Sequence, residues 1–194
     1  MGDVMYLYNY LMEALFIGFG IVTILLLLPY RFLGKELQLH VDRCIKSITK
    51  MMPFVALVYL MVAVGFIIQD AISLNNGNGS LERMKGPYGG AYVFKVFLIP
   101  MTLLLLWMNR VSSRKLWIFL LAIVVGFSFI IMNERFVIFI TSIHRDFLPP
   151  YSKGYDYDIF FFFGRFLLEQ IVIFCVLFIP IHFFTIQNKA TENN

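Results

Sequence analysis

Charged side chains placed inside long apolar runs are the residues of this sequence that could do chemistry. The candidates of this kind are Asp70, Glu134, Arg135, Arg165 and Glu169. A charge at the centre of a membrane helix costs about 2.5–3.5 kcal/mol on insertion scales, so each one needs a partner or a purpose. Carboxylates in such places tend to have a shifted pKa and can carry protons, which makes the three carboxylates candidates for a proton site and the two arginines candidates for its counter-charges.

Arg165 and Glu169 form the clearest case. Counted inward from residue 159, Arg165 lies about 9 Å and Glu169 about 15 Å into an apolar helix. Their i, i+4 spacing lets the two side chains meet on one face. Two interpretations stay open: a self-neutralised pair that faces other helices, or a carboxylate that carries protons or forms the polar wall of a cavity.

The elements that must hold these residues are membrane helices. Sixty per cent of the 194 residues are apolar and 14% are charged, and several apolar runs reach the length that spans a hydrocarbon core. The pattern predicts one all-α integral membrane domain over residues 1–194, with a four-helix bundle (helices 2–5) and one preceding helix. Its five predicted transmembrane helices cover about residues 11–29, 52–74, 91–108, 116–143 and 159–184.

The distribution of Lys and Arg predicts the orientation. Nine of these residues lie on the side that contains the connection between helices 1 and 2, and five lie on the opposite side. The positive-inside rule then predicts an N-terminus outside the cell and a C-terminus in the cytoplasm.

With this orientation, the charges inside the spans lie at or outside the midplane. Glu13, Lys95 and Asp70 are all near outer helix ends, whereas the inner halves of the helices read as almost purely apolar. We expect Glu13 and Lys95 to extend towards the interface. The one-sided pattern favours an outward polar recess or a docking face over a channel.

The cysteine and histidine residues do not suggest a disulfide, a metal site or a haem site. Cys44 is predicted in the inner connection and Cys175 within helix 5, so neither a disulfide nor a zinc site is expected. His40, His144 and His182 fall in the inner connection, the outer connection and the inner end of helix 5. No pair can face across the bundle interior as a b-type haem requires, and we predict no catalytic residue and no metal site in this chain.

Three segments carry a family resemblance: HVDRCIKSITK, LERMKGPYGGAYVFKVFLIPMTLLLLW and NERFVIFITSIHRDFLPPYSKGYDYD. They resemble the C-terminal half of the NrfD/PsrC-like quinol-interacting membrane subunits, most of all the larger ones of bacterial alternative complex III. The likeness covers roughly residues 40–185. Family members contain two four-helix bundles, and this chain supplies about half of that; the quinol pocket is chiefly credited to the other, N-terminal bundle.

The resemblance implies a subunit of the bacterial inner membrane that docks an iron–sulfur and molybdopterin-like protein at its outer face. The other partners implied are cytochrome c subunits, a second NrfD-like membrane subunit and membrane lipid. No nucleic-acid partner is implied. Haem and iron–sulfur clusters would belong to the partner subunits. Quinol is the one small molecule implied for this chain, which makes the five charged residues named at the outset candidates for a quinol or proton site. The residues implied in docking are Glu82, Arg83, His144, Arg145 and Asp146.

The function predicted from these observations is that of a membrane-anchor subunit in a multi-chain respiratory quinol oxidoreductase. Such a subunit is either non-catalytic or contributes in part to the quinol or proton site. Two alternatives stay open: a non-redox structural or assembly protein of the membrane, and a small ion transporter.

Overall fold

The computed structural model describes residues 2–73, 84–85, 89–108, 114–132 and 155–192. These contain five helices: α1 (Gly2–Leu27), α2 (Lys35–Ser73), α3 (Gly89–Trp107), α4 (Lys115–Ile131) and α5 (Tyr155–Glu192). Four of them are long and apolar enough to cross a membrane, and α4 is a shorter apolar helix. The prediction of an all-α membrane fold is therefore confirmed.

Helix α2 begins well before the predicted start at residue 52. It starts at Lys35 and runs for 39 residues. The positively charged connection predicted between helices 1 and 2 is therefore largely helical. A stripe of buried residues at helical spacing explains the extension, because it packs the charged segment against the bundle. The stripe consists of Val41, Ile45, Ile48, Met52, Ala56 and Tyr59.

Helix α1, predicted to precede a bundle made by the other four, is the central helix. Residues 14–20 are all buried, and its most extensive contacts are with α4 and α5. Glycine makes this packing close: a Cβ on Gly20 would lie only 2.5 Å from the Cα of Gly126 in α4. A Cβ on Gly18 would collide with the Phe174 ring in α5. The prediction missed this because it counted apolar residues and gave no weight to small ones.

An aromatic trio joins α1 to two further helices. The Phe16 ring stacks on Phe129 of α4 with centroids 4.4 Å apart, and meets Tyr59 of α2 edge-on at 5.3 Å. Together with the Gly20–Gly126 contact, the Phe16–Phe129 pair shows that α1 and α4 run antiparallel. This core holds the start of α1 close to the end of α4.

Helix α4 is described from Lys115 to Ile131, with Met132 as its C-cap. Its predicted continuation to residue 143 lies outside the described residues. Helix α3 changes winding along its length, with a π-helical stretch at Phe94–Leu98 and a 3-10 turn at Leu105–Trp107. The π-helical stretch lies beside the end of α4.

Candidate functional site

Lys95 lies in the π-helical stretch of α3 and has partners on two other helices. Its Nζ forms an ion pair with Glu13 Oε1 of α1 at 2.8 Å and donates to the Met132 carbonyl at 3.4 Å. The Phe129 ring lies 5.8 Å from the same atom. Met132 caps α4, where unpaired carbonyls concentrate partial negative charge. The ammonium group is thus stabilised by a carboxylate, a helix end and an aromatic face.

The Lys95–Glu13 pair is well shielded. The side chains are 16% and 23% exposed, respectively. The sequence predicts that both side chains extend towards the interface, and in the structure they also neutralise each other between α1 and α3. π-helical turns insert an extra residue into a helix and often occur at functional sites.

Glu169 of α5 is the second carboxylate at this end of the bundle. Tyr10 of α1 donates its hydroxyl to Glu169 Oε2 at 3.2 Å. Arg165 donates its Nε to Glu169 Oε1 at 3.1 Å, as the i, i+4 spacing predicts. The Arg165 side chain is 70% exposed and that of Glu169 is 39% exposed, so this pair lies on the outer surface of the bundle.

Tyr10 and Glu13 are one turn apart on α1 and connect these two pairs. We call the group the Glu13 cluster; its members are Tyr10, Glu13, Lys95, Arg165 and Glu169. Its two carboxylates and two basic groups balance in charge, and its contacts link α1, α3, α5 and the end of α4. The arrangement can fix helices together, and its exposed side can bind a polar partner.

A buried amide follows Glu169 along α5. Gln170 is fully buried, and neither its Nε2 nor its Oε1 has a hydrogen-bond partner in the described part of the chain. The Tyr8 hydroxyl is also buried and unpaired within those residues. An unpaired amide in an apolar core costs free energy, so Gln170 is a polar group available to a water molecule or ligand.

The opposite end of the bundle carries polar contacts that the sequence did not predict. Asp42 of α2 accepts a hydrogen bond from the Tyr30 hydroxyl at 3.1 Å and pairs with Lys115 Nζ at 2.7 Å. Lys115 also lies 3.4 Å from the centroid of the Tyr30 ring. Desolvation lowers the pKa of Lys115, but hydrogen bonds to Asp42 and Tyr30 outweigh this, and the net shift is upward. We call Tyr30, Asp42 and Lys115 the Asp42 cluster.

A further group at this end contains a thiol, a hydroxyl and an imidazole. His182 Nδ1 of α5 lies 2.9 Å from Ser47 Oγ of α2, and its Nε2 lies 3.8 Å from Cys44 Sγ. The sequence predicts neither a disulfide nor a zinc site at Cys44 and gives no indication of this contact with His182. Cys44 and Ser47 are one helical turn apart, which is a readable signal, but only the tertiary packing brings His182 to them.

The structure describes three of the predicted quinol or proton residues. Arg165 and Glu169 meet, as stated above, and Asp70 is half-buried near the end of α2. The other predicted site residues lie outside the described residues; they are Glu82, Arg83, Glu134, Arg135, His144, Arg145 and Asp146. Among the described side chains, no three His, Cys, Asp or Glu residues come together to hold a metal ion.

Comparison with known proteins finds no matching family model, no similar curated protein and no similar solved structure. The family resemblance therefore stays a prediction from residues 40–185. What the geometry itself provides is a charged, partly exposed cluster at one end of an apolar bundle.

Proposed function

We propose that this chain is a membrane-anchor subunit of a multi-chain respiratory quinol oxidoreductase. In this proposal its predicted outer end docks an iron–sulfur subunit and shares in a quinol or proton site. The observation that carries the proposal is the exposed Arg165–Glu169 pair in the apolar part of α5.

The exposed guanidinium of Arg165 requires a group that covers it. The guanidinium is about 9 Å into the apolar run, counted from residue 159, where contact with lipid tails is costly. Glu169 satisfies Nε, whereas the two terminal nitrogens of a guanidinium can each donate further. A neighbouring subunit with acceptor groups at this depth would satisfy those donors and remove the side chain from lipid.

Apolar exposure on the same helix agrees with a bound neighbour or lipid. The large side chains exposed on α5 near the pair are Phe161, Leu168, Val172 and Val176. Membrane subunits can pack against each other through an apolar helix face that contains one polar pair. Packing of the apolar side chains provides buried area, and the polar pair provides specificity. The respiratory assignment itself rests on the resemblance of residues 133–158 and the neighbouring segments.

Co-purification tests the proposal. The tagged chain, extracted from its native membrane in a mild detergent, should recover iron–sulfur and cytochrome subunits together with a second membrane subunit. Haem spectra and iron content of the eluate identify the partners. Arg165→Gln should lower the recovery of the partners at least several-fold, whereas Lys50→Gln, an exposed charge removed at the other end, should not.

A chain that purifies alone as a folded monomer would overturn the proposal. Partners without haem or iron would instead favour a structural or assembly protein, which shares the docking argument and lacks the redox chemistry. Equal recovery from Arg165→Gln and the wild type would refute the docking role of α5.

A further inference from the structure

Cys44, Ser47 and His182 have the geometry of a nucleophile, its base and a positioning group. His182 lies between the other two, with one ring nitrogen near the Cys44 sulfur and the other near the Ser47 hydroxyl. The Phe178 ring stacks on the imidazole with centroids 5.4 Å apart. Ser47 and Phe178 are both buried, so the ring is held on two sides.

The contact with Ser47 bears on which ring nitrogen of His182 carries the proton. A serine hydroxyl inside a helix can donate to the carbonyl four residues earlier, which leaves its oxygen free to accept. In the tautomer with the proton on Nδ1, His182 donates to Ser47 Oγ, and Nε2 is an acceptor facing the thiol. A base oriented by a third group beside a nucleophile is the general arrangement for nucleophilic catalysis.

The surroundings of Cys44 indicate what kind of molecule could react there. His182 is two residues from the end of the apolar run of α5, so the thiol lies near the membrane boundary. Arg43, Lys46 and Lys50 are exposed at helical spacing along the same part of α2. An anionic head group would bind these side chains, while an acyl chain would enter the bilayer beside them.

We propose that Cys44 is a site of S-acylation, which takes its acyl group from a long-chain acyl thioester of an anionic carrier. The Cys44 sulfur attacks the thioester carbonyl carbon while His182 Nε2 accepts the thiol proton. The bond between that carbon and the carrier sulfur breaks, and the carrier thiolate takes the proton from the imidazolium. One thioester is exchanged for another, with no change of oxidation state.

The attached chain would insert into the membrane beside α2. The chain can reach the membrane because Cys44 lies in the charged first part of α2, which projects past the apolar span that begins near residue 52. Burial raises the pKa of the Cys44 thiol, so little thiolate exists before the reaction. This makes the nearby base necessary for the attack.

Incubation with palmitoyl-CoA tests the proposal directly. The purified chain in lipid nanodiscs should gain one palmitoyl group on Cys44, located by mass spectrometry of its peptides and removed by hydroxylamine. Cys44→Ser should abolish the addition. Cys175→Ser is the matched control, because it removes the other cysteine from the apolar part of α5 and should leave the rate unchanged.

The role of His182 requires variants that separate chemistry from packing. His182→Gln should slow acylation about 100-fold, the lower range for loss of a general base. His182→Ala should recover part of the rate when imidazole is added, which a purely structural role would not produce. Ser47→Ala should slow the reaction and Ser47→Thr should restore it, because Ser47 acts only by positioning the ring.

Several results would overturn the inference. They are no acylation of the wild type, equal acylation of Cys44 and Cys175, and an unchanged rate in His182→Gln. Reaction of Cys44 with N-ethylmaleimide measures the thiol without the acyl donor. His182→Gln could slow acylation and yet react with maleimide as fast as the wild type does. That result would likewise refute base assistance.

Discussion

The two ends of the bundle contain nearly the same interaction in different surroundings. At one end Lys95 pairs with Glu13 at 2.8 Å beside an aromatic ring, and at the other Lys115 pairs with Asp42 at 2.7 Å beside another ring. The first pair is 16% and 23% exposed, whereas both members of the second are 43% exposed. Distance therefore does not distinguish the pairs, and burial does.

Burial determines which of the two ion pairs contributes more to the stability of the fold. A charge packed among helices has no water to return to when its partner is lost, whereas a charge at the membrane boundary does. Lys95 also has a helix end as an acceptor, so three helices depend on it. Lys115 has only groups at the margin of the bundle. We expect mutation of the two lysines to separate these cases clearly.

The largest effect is expected from Lys95→Met. The variant removes the ammonium group that pairs with the half-buried Glu13 carboxylate, and breaking a shielded pair by removing one partner costs about 3 kcal/mol, the lower end of the range for buried pairs. The free energy of unfolding, measured by denaturant titration in detergent micelles with helical circular dichroism, should fall by that amount. Lys95→Arg should lose less, because it keeps the charge.

A double-mutant cycle provides the control for this pair. Removing both charges in Lys95→Met with Glu13→Leu should recover much of the lost stability, because the carboxylate that lost the Lys95 ammonium is removed as well. If the two substitutions instead add, the pair does not act as a unit, and the contrast between the ends of the bundle is lost.

A smaller effect is expected from Tyr10→Phe, which removes the hydroxyl that donates to Glu169. Hydrogen bonds to charged groups contribute about 1.5–3 kcal/mol when shielded, and the partial exposure of Glu169 reduces this to about 1 kcal/mol. Unfolding in the same micelles measures the change. The matched control is Tyr8→Phe on the same helix, whose hydroxyl is buried and unpaired among the described residues.

Tyr8→Phe should be neutral or slightly stabilising, because it removes a buried hydroxyl that has no hydrogen-bond partner among the described residues. A greater loss from Tyr8→Phe than from Tyr10→Phe would contradict the assignment of the Tyr10–Glu169 bond.

The sequence predicts the membrane class, five helices and the local Arg165–Glu169 pair, because apolar length and i, i+4 spacing are local properties. It did not predict the Lys95–Glu13 pair, since that depends on how α1 and α3 approach each other. The central position of α1 also depends on a tertiary contact, in which Gly20 of α1 meets Gly126 of α4. The local sequence pattern therefore predicts the helices, whereas close packing between them determines which helices are neighbours.

The start of α2 shows the same limit. Its charged residues predicted a connection, but the buried stripe that includes Ile45 and Ile48 makes it a helix. Once helical, this segment turns Asp42 towards Lys115 and Cys44 towards His182. Polar contacts at this end therefore arise from a helix that a count of apolar residues does not detect.

The smallest effect is expected from Lys115→Met at the half-exposed pair. Exposed ion pairs contribute about 0–1 kcal/mol, and the interaction between exposed charges is screened over about 8 Å at physiological salt. Raising the salt concentration during unfolding should therefore reduce the difference between Lys115→Met and the wild type. The same salt series should leave the difference for Lys95→Met nearly unchanged, because its partner is shielded. Equal salt dependence at both ends would show that burial does not separate the two pairs, and their ranking would then have to come from the helix end at Met132.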